Sequence, residues 1–276
     1  MSSPSSASVP SEPPSEIPPH DFPVPTPIRD AAHGRAIHPV WLNQLGGSTF
    51  RLGEGPDARF AKWVPAGTGQ DLAGEAARMR WAGSFVTVPR VLEQDSNAEG
   101  AWLITAALDG EMAVADRWKQ DPATAVRIIG EGLRAFHDAL PVAECPFTYS
   151  AEERIAEAEL NAAQRADRTL AKDFAPMTFA EALKRVADIP PIDTLVVCHG
   201  DTCPPNTLLT ADGRFAGHVD LGQLGVADRW SDLAIATWST TWNYGDGWEE
   251  PLLDAYGIDP DPERTEYYRL LWEVGP

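Results

Sequence analysis

Two short runs of buried-strand type, each stopping in an acidic turn, constrain this chain more than any other feature. Leu195-Val196-Val197-Cys198 ends abruptly in His199-Gly200-Asp201, and Asn206 follows five residues after that aspartate. A second run, Phe215–Asp220, closes in Asp220-Leu221-Gly222, and the turn residues Asp212-Gly213 join it to the strand-like Thr207–Thr210. Two strand ends thus present Asp201, Asn206 and Asp220 towards one edge. A carboxylate and an amide that bind Mg²⁺, plus a carboxylate placed to accept a hydroxyl proton, are what phosphoryl transfer needs. Singly, each residue has an ordinary reading: the strand-end Asp as a turn former, the Asn after two prolines as a turn, the Asp-x-Gly as a hairpin end. The combination H-x-D-x-x-x-x-N followed by D-x-G points to chemistry.

The surrounding texture divides the chain. From Ile37 to about Leu108 strand-like runs dominate: Ser48–Leu52, Arg59–Val64, Val86–Leu92 and Trp102–Ala106, interrupted by one helix predicted over Asp71–Trp81. Beyond Leu108 helices take over. Asp121-Pro122 is an N-cap and first-turn pair, and Val126, Ile129, Leu133, Phe136 and Leu140 follow at helical spacing. Ala151–Ala187 reads as mostly helical, and helices are predicted over Trp230–Trp242, Trp248–Tyr256 and Pro262–Trp272. The expected class is α+β, with a small β-rich lobe over 31–108 and a larger, mainly helical lobe over 109–276. Residues 1–30 hold nine prolines and seven serines and read as a disordered leader, an inert tail or a peptide-docking segment.

Composition narrows the partners. Among 276 residues, 41 are acidic and 22 basic, a net charge of −19. Such a surface repels nucleic acid and anionic membrane and attracts cations, or serves solubility alone. No apolar run approaches the ~18 residues of a spanning helix. Three cysteines give no disulfide framework, which points to a reducing, cytoplasmic setting, and the six histidines show no zinc spacing.

Val197–Asn206, continuing through Gly217–Ala234, resembles the aminoglycoside phosphotransferases, especially the 3′-phosphotransferase group, which share a protein-kinase-like two-lobe fold. The resemblance runs from about Val40 to the end. It implies transfer of the γ-phosphoryl group of ATP, with GTP as the other candidate, to a hydroxyl of a cationic aminoglycoside. The 3′-hydroxyl is the expected acceptor, and resistance the consequence. Another small alcohol or amino alcohol is the alternative, and oligomeric state stays open between monomer and homodimer. By this resemblance Asp201 is the catalytic base, and Asn206 and Asp220 are the Mg²⁺ ligands. His199 supports the loop, and Asp228 braces the catalytic segment through hydrogen bonds.

The kinase pattern also makes demands on the amino-terminal half. Strand alternation puts Lys62 on the face of Phe60 and Val64, where an ammonium needs a partner. Thirteen residues on, Glu75 lies beside the stripe Leu72/Ala76/Met79. Lys62 and Glu75 are therefore the expected phosphate-holding pair, the alternative being two snorkelling side chains. The turn Leu45–Thr49 stands where a phosphate-covering turn belongs, with Gly47 offering backbone N–H and Ser48 a hydroxyl. Alone, it is a hairpin turn. The resemblance places the interlobe hinge, and backbone contacts to adenine, at Ala106–Leu108.

A polyamine sugar calls for carboxylates. Nine acids against two arginines fall between Asp246 and the end, and Asp246 and Glu249 are the nearest to the position of the family's acidic pair. A solvated helix face is the other reading of this charge. Glu273 is chosen because the family uses a carboxylate next to the terminus. Trp242-Asn243-Tyr244 and Trp272 replace acidic residues common in relatives. The tryptophans of this region serve ring stacking or helix packing.

Overall fold

The computed structural model describes residues 18–19, 21–43 and 45–275; the part of the expected leader over 1–17 lies outside the described residues. The chain forms two compact units, Met1–Ala73 with Val91–Ala107, and Gly74–Arg90 with Leu108–Pro276. Segment 74–90, expected within the first lobe, falls in the second unit.

In the first unit the proline-rich stretch ends in order. Helix α1 (Thr26–Ala32) starts from Pro25 at the N-cap with proline in its first turn. There a missing N–H removes no helical bond and the fixed φ suits entry. Ile28, Ala31 and Ala32, spaced for one helical face, bury against Phe50, Leu52, Ala61, Trp63 and Ile104. The leader therefore stops short of residue 30; proline density concealed a short apolar stripe.

The partner of α1 is a five-stranded antiparallel sheet. It comprises β1 (Ile37–Leu42), β2 (Ser48–Leu52), β3 (Arg59–Pro65), β4 (Val91–Ser96) and β5 (Gly100–Ala106), in the order β1-β2-β3-β5-β4. Strand β1 carries Pro39 and shifts register between Pro39 and Trp41, a departure that edge strands tolerate. Lys62 pairs in register with Thr49 on one side and Leu103 on the other. The strand expected over Val86–Leu92 begins later, at Val91. Val86 N still donates to Ala82 O at the end of helix α2 (Leu72–Ala82), and Pro89 has no N–H for a ladder.

The second unit is mainly helical. In chain order it contains β6 (Glu111–Met112), α3 (Asp116–Gln120), α4 (Pro122–Ala139), α5 (Ala151–Leu160), α6 (Ala162–Arg165) and α7 (Phe179–Val186). Strands β7 (Leu195–Cys198), β8 (Thr207–Leu209), β9 (Phe215–His218) and β10 (Gly225–Asp228) follow. Helices α8 (Trp230–Tyr244), α9 (Glu249–Tyr256) and α10 (Pro262–Val274) end the chain. Asp121 caps α4 by accepting from Thr124 N, and all five residues of its apolar stripe are buried. Val126, Ile129 and Leu133 join Trp230 and Leu233 of α8, Leu252 of α9 and Leu271 of α10 in one core. Helix α4 needs Gly130 for this, because a Cβ there would lie 2.6 Å from Leu252 O. Strand β7 pairs antiparallel with β10, and β8 lies between β6 and β9, which brings the two acidic turns onto one scaffold.

Candidate active site

The catalytic segment begins where buried β7 stops. Gly200 has φ +90, and a Cβ on it would lie 2.6 Å from Gln223 Cβ, so position 200 accepts only glycine without displacing the neighbouring turn. Two free backbone donors follow the strand, and one buried carboxylate takes both. His199 N donates to Asp232 Oδ2 at 2.7 Å and Gly200 N to Asp232 Oδ1 at 2.9 Å. His137 Nε2 lies 3.0 Å from the same carboxylate, and Tyr256 OH lies 2.9 Å from His137 Nδ1. Thr202 Oγ1 donates to Asp232 O, and Tyr149 OH to Gly200 O. Burial works against the Asp232 charge, yet His137 and the Gly200 N–H more than offset it and hold the carboxyl below its ordinary pKa.

His199 supports the loop with its ring. Asp201 N donates to Nδ1 at 3.1 Å, so the proton sits on Nε2 and donates to Val219 O at 2.8 Å. One imidazole thus spans both acidic turns. Asn206 adds a second tie: its backbone O accepts from Val219 N at 2.9 Å, one residue before Asp220. Its Nδ2 donates to Asp201 Oδ2 at 2.9 Å and to Asp201 O at 3.0 Å. Burial, and to a smaller extent the Asp220 charge, push the Asp201 carboxyl up from the usual carboxylate value, opposed by Cys203, His199 and Asn206. A carboxylate so raised is a stronger proton acceptor.

Asp220 is exposed and holds φ +64, a left-handed conformation uncommon outside glycine that aspartate adopts more readily than most residues. Glu75 of α2 borders the same turn: a Cβ built on Gly222 would lie 4.0 Å from both Glu75 Oε2 and Asp220 Oδ1. The oxygens of Asp220 and Asn206 form a hard donor set of the kind Mg²⁺ takes, and Asn206, with its amide nitrogen engaged by Asp201, offers Oδ1. The residues fit the ion.

Other expected residues have different employment. The Asp228 carboxylate accepts from Asp193 N at 2.6 Å and Trp230 N at 2.9 Å, fixing the start of α8, and its backbone O accepts from Cys198 Sγ at the end of β7. Asp232 braces the segment instead. Its signal was present in the sequence, since an aspartate inside the apolar run from Trp230 to Ala236 must have a buried partner. Glu249 is ion-paired with Arg269, which also donates to Ala234 O and Thr237 Oγ1. Glu273 is buried and its Oε2 accepts from Ala171 N at 2.7 Å. Of the three expected acceptor-binding acids only Asp246 stands in an exposed turn. The aromatic cluster Trp238, Trp242 and Trp272 packs at centroid distances of 4.9–6.2 Å, with Trp242 half exposed.

In the first unit, the turn before β2 is organised by Asn43. Its Oδ1 accepts from Leu45 N and Gly47 N, and its Nδ2 donates to Gln70 Oε1. The Gly47 N–H expected to meet phosphate is therefore bonded within the turn. A Cβ there would lie 2.6 Å from Asn43 Nδ2 and 2.7 Å from Gln70 Oε1 and so would displace the side chains that organise the turn. Ser48 is buried. Ala106 ends β5 opposite Arg59, and Leu108, in the second unit, lies beside Gly217.

Comparison with known proteins agrees with this geometry. The model of the phosphotransferase enzyme family matches residues 43–268. An aminoglycoside 3′-phosphotransferase of Streptomyces fradiae is 35% identical over 254 residues, covering 86% of this chain and 94% of that protein. The streptomycin 3″-kinase of Streptomyces griseus is 35% identical over 252 residues, covering 84% and 89%. Among solved structures, the aminoglycoside phosphotransferase APH(3″)-Id of Streptomyces rimosus is 31% identical with a TM-score of 0.77, covering 90% of this chain and 95% of that one. The same enzyme has been solved with ADP and streptomycin and aligns with a TM-score of 0.70 over 82% and 90% of the two chains. With the acidic turns of β7 and β9 on one scaffold and a family match over most of its length, the chain belongs to the phosphotransferase enzyme family and has its protein-kinase-like fold.

Proposed function

We propose that this protein is an ATP-dependent O-phosphotransferase that moves the γ-phosphoryl group to a hydroxyl of an aminoglycoside, the 3′-hydroxyl first among candidates, and so confers resistance. The observation that carries the reading is Asp201, raised in basicity and held by Asn206 on a loop whose backbone is pinned by Asp232. Asp201 orients the acceptor hydroxyl and takes its proton as the oxygen attacks phosphorus. Bound at Asn206 and Asp220, Mg²⁺ would neutralise phosphate oxygens. Lys62 is assigned to the α- and β-phosphates with Glu75 as its partner, and the β5 end from Ala106 to Leu108 to adenine. Most of the acceleration comes from positioning and charge stabilisation.

Acceptor binding draws on the exposed acids Asp246 and Glu250 and on the open face of Trp242, which offers a cation–π surface to an ammonium or guanidinium. The reaction belongs in the cytoplasm, where the free thiols Cys145, Cys198 and Cys203 stay reduced. The test is a coupled assay for ADP or GDP release with Mg²⁺–ATP and Mg²⁺–GTP against aminoglycosides with and without a 3′-hydroxyl, streptomycin included. Mass and NMR then locate the new phosphate. A 3′-phosphate made from ATP is the expected product. Turnover only on neutral or simple amino alcohols replaces the acceptor assignment, and no turnover on any alcohol removes the reading.

A further inference from the structure

We propose that Arg78 is a positioning residue that ties the helix carrying Glu75 to the turn carrying Asp220, by donating to Leu224 O and stacking on Phe147. The bond from Arg78 Nε to Leu224 O is 3.0 Å and joins residues 146 positions apart. The guanidinium carbon lies 4.9 Å from the centre of the Phe147 ring. These contacts hold different parts of the same segment. Leu224 closes the turn after Asp220, its own N–H donating to Leu221 O, and β10 starts one residue later. Phe147 O accepts from Val226 N at 2.9 Å, so the ring that Arg78 covers is itself anchored to β10. Trp81, on the same helix, meets Phe147 edge-on at 6.2 Å.

The spacing gives this clamp a consequence. Glu75 and Arg78 stand three residues apart on α2 and so share a face. One end of that face grips Leu224, and the other brings Glu75 Oε2 to within 4.0 Å of where a Cβ on Gly222, two residues after Asp220, would stand. The left-handed Asp220 and its turn lie between β9 and β10, outside both ladders. Arg78 fixes the far end of this turn, and with it the placement of two carboxylates that border one small space. A guanidinium suits the task because its Nε–H donates in the plane of the group while the face of that plane stays free to stack.

The inference rests on the proposed phosphotransfer at Asp201 and Asp220 only for its kinetic arm. Arg78→Met and Arg78→Lys are compared with the wild type by steady-state kinetics, melting temperature, and amide hydrogen exchange of the nucleotide-free protein. Arg78→Met is expected to lower kcat by about 10- to 100-fold with acceptor KM nearly unchanged. Exchange should quicken in peptides covering 220–226 and not in those from α4 or α8. Arg78→Lys, which keeps a donor for the carbonyl but loses the planar face over Phe147, should recover part of both. Unchanged kcat or unchanged exchange in Arg78→Met overturns the proposal, as does an equal loss in Arg78→Lys or a general rise in exchange with a large fall in melting temperature. Should the wild type phosphorylate nothing, the functional reading fails, and the exchange comparison still decides whether Arg78 holds the turn.

Discussion

The catalytic segment and the acidic carboxyl-terminal helices use carboxylates in opposite ways. Around His199–Asn206 two carboxylates, Asp201 within the segment and Asp232 from α8, take donors that fix a loop, and Asp201 is left with its basicity raised. From Asp246 onward acids are plentiful, yet the two that looked most purposeful are taken by the protein's own groups, Glu249 by Arg269 and Glu273 by Ala171 N. Density of charge therefore says little about a binding site. What distinguishes the two sets is what the partners do: Asn206 orients Asp201 beside the second acidic turn, whereas Arg269 and Ala171 N use Glu249 and Glu273 to join parts of the fold.

This contrast can be broken at several points. The largest effect on stability is expected from Asp232→Ala. It leaves the His199 and Gly200 N–H groups and His137 without their acceptor, at about 1–3 kcal/mol for each buried unsatisfied group. Denaturant unfolding should register the loss, and kcat should fall by about 10²-fold as the loop loosens. Asp232→Asn, keeping one oxygen acceptor, should fall between the two. Wild-type stability with Asp232→Ala would remove the brace from the account.

A second prediction concerns pH. His218 is buried beside Phe136, His199 and Phe215, and burial holds its pKa well below the ordinary 6.5. Below pH 6.5 the unfolded chain binds a proton that the native chain refuses. Stability therefore rises with pH through this window and is lost on acidification, by up to about 1.4 kcal/mol per pH unit. Melting curves between pH 7.5 and about 5 should show this slope, and His218→Gln should flatten it. An unchanged slope in the variant assigns the effect elsewhere.

Smaller changes separate the carboxyl-terminal acids. Glu249→Gln should cost about 1 kcal/mol or less, because the pair with Arg269 is partly exposed, and should leave acceptor KM unchanged. Asp246→Asn, in the exposed turn, should leave stability within about 0.5 kcal/mol and raise acceptor KM a few-fold. The reverse pattern would restore Glu249 to the acceptor site and place Asp246 outside it.

Much of this molecule is legible in its sequence, for identifiable reasons. The α4 stripe is continuous over four turns, so its burial followed from spacing alone. The acidic turns were visible because buried β7 and the hairpin of β8 and β9 stop abruptly at polar residues. Helix α1 was hidden, since prolines that begin a helix look the same in sequence as prolines that prevent one. The role given to Gly47 overlooked Asn43, whose carboxamide fills the turn from four residues upstream. Asp228 and Asp232 both precede or enter the same apolar helix, and spacing cannot say which of two aspartates meets a loop thirty residues earlier. Arg78 depends on a contact across 146 residues that no local pattern announces.

The central claim is that Asp201 acts as the proton acceptor on a loop built independently of it. Rapid-quench measurement of single-turnover phosphoryl transfer by Asp201→Ala, with calorimetric titration of Mg²⁺–nucleotide on the same sample, tests this most directly. The account predicts transfer slowed by about 10²- to 10⁴-fold or more, with nucleotide affinity essentially that of the wild type. Transfer at the wild-type rate would contradict it.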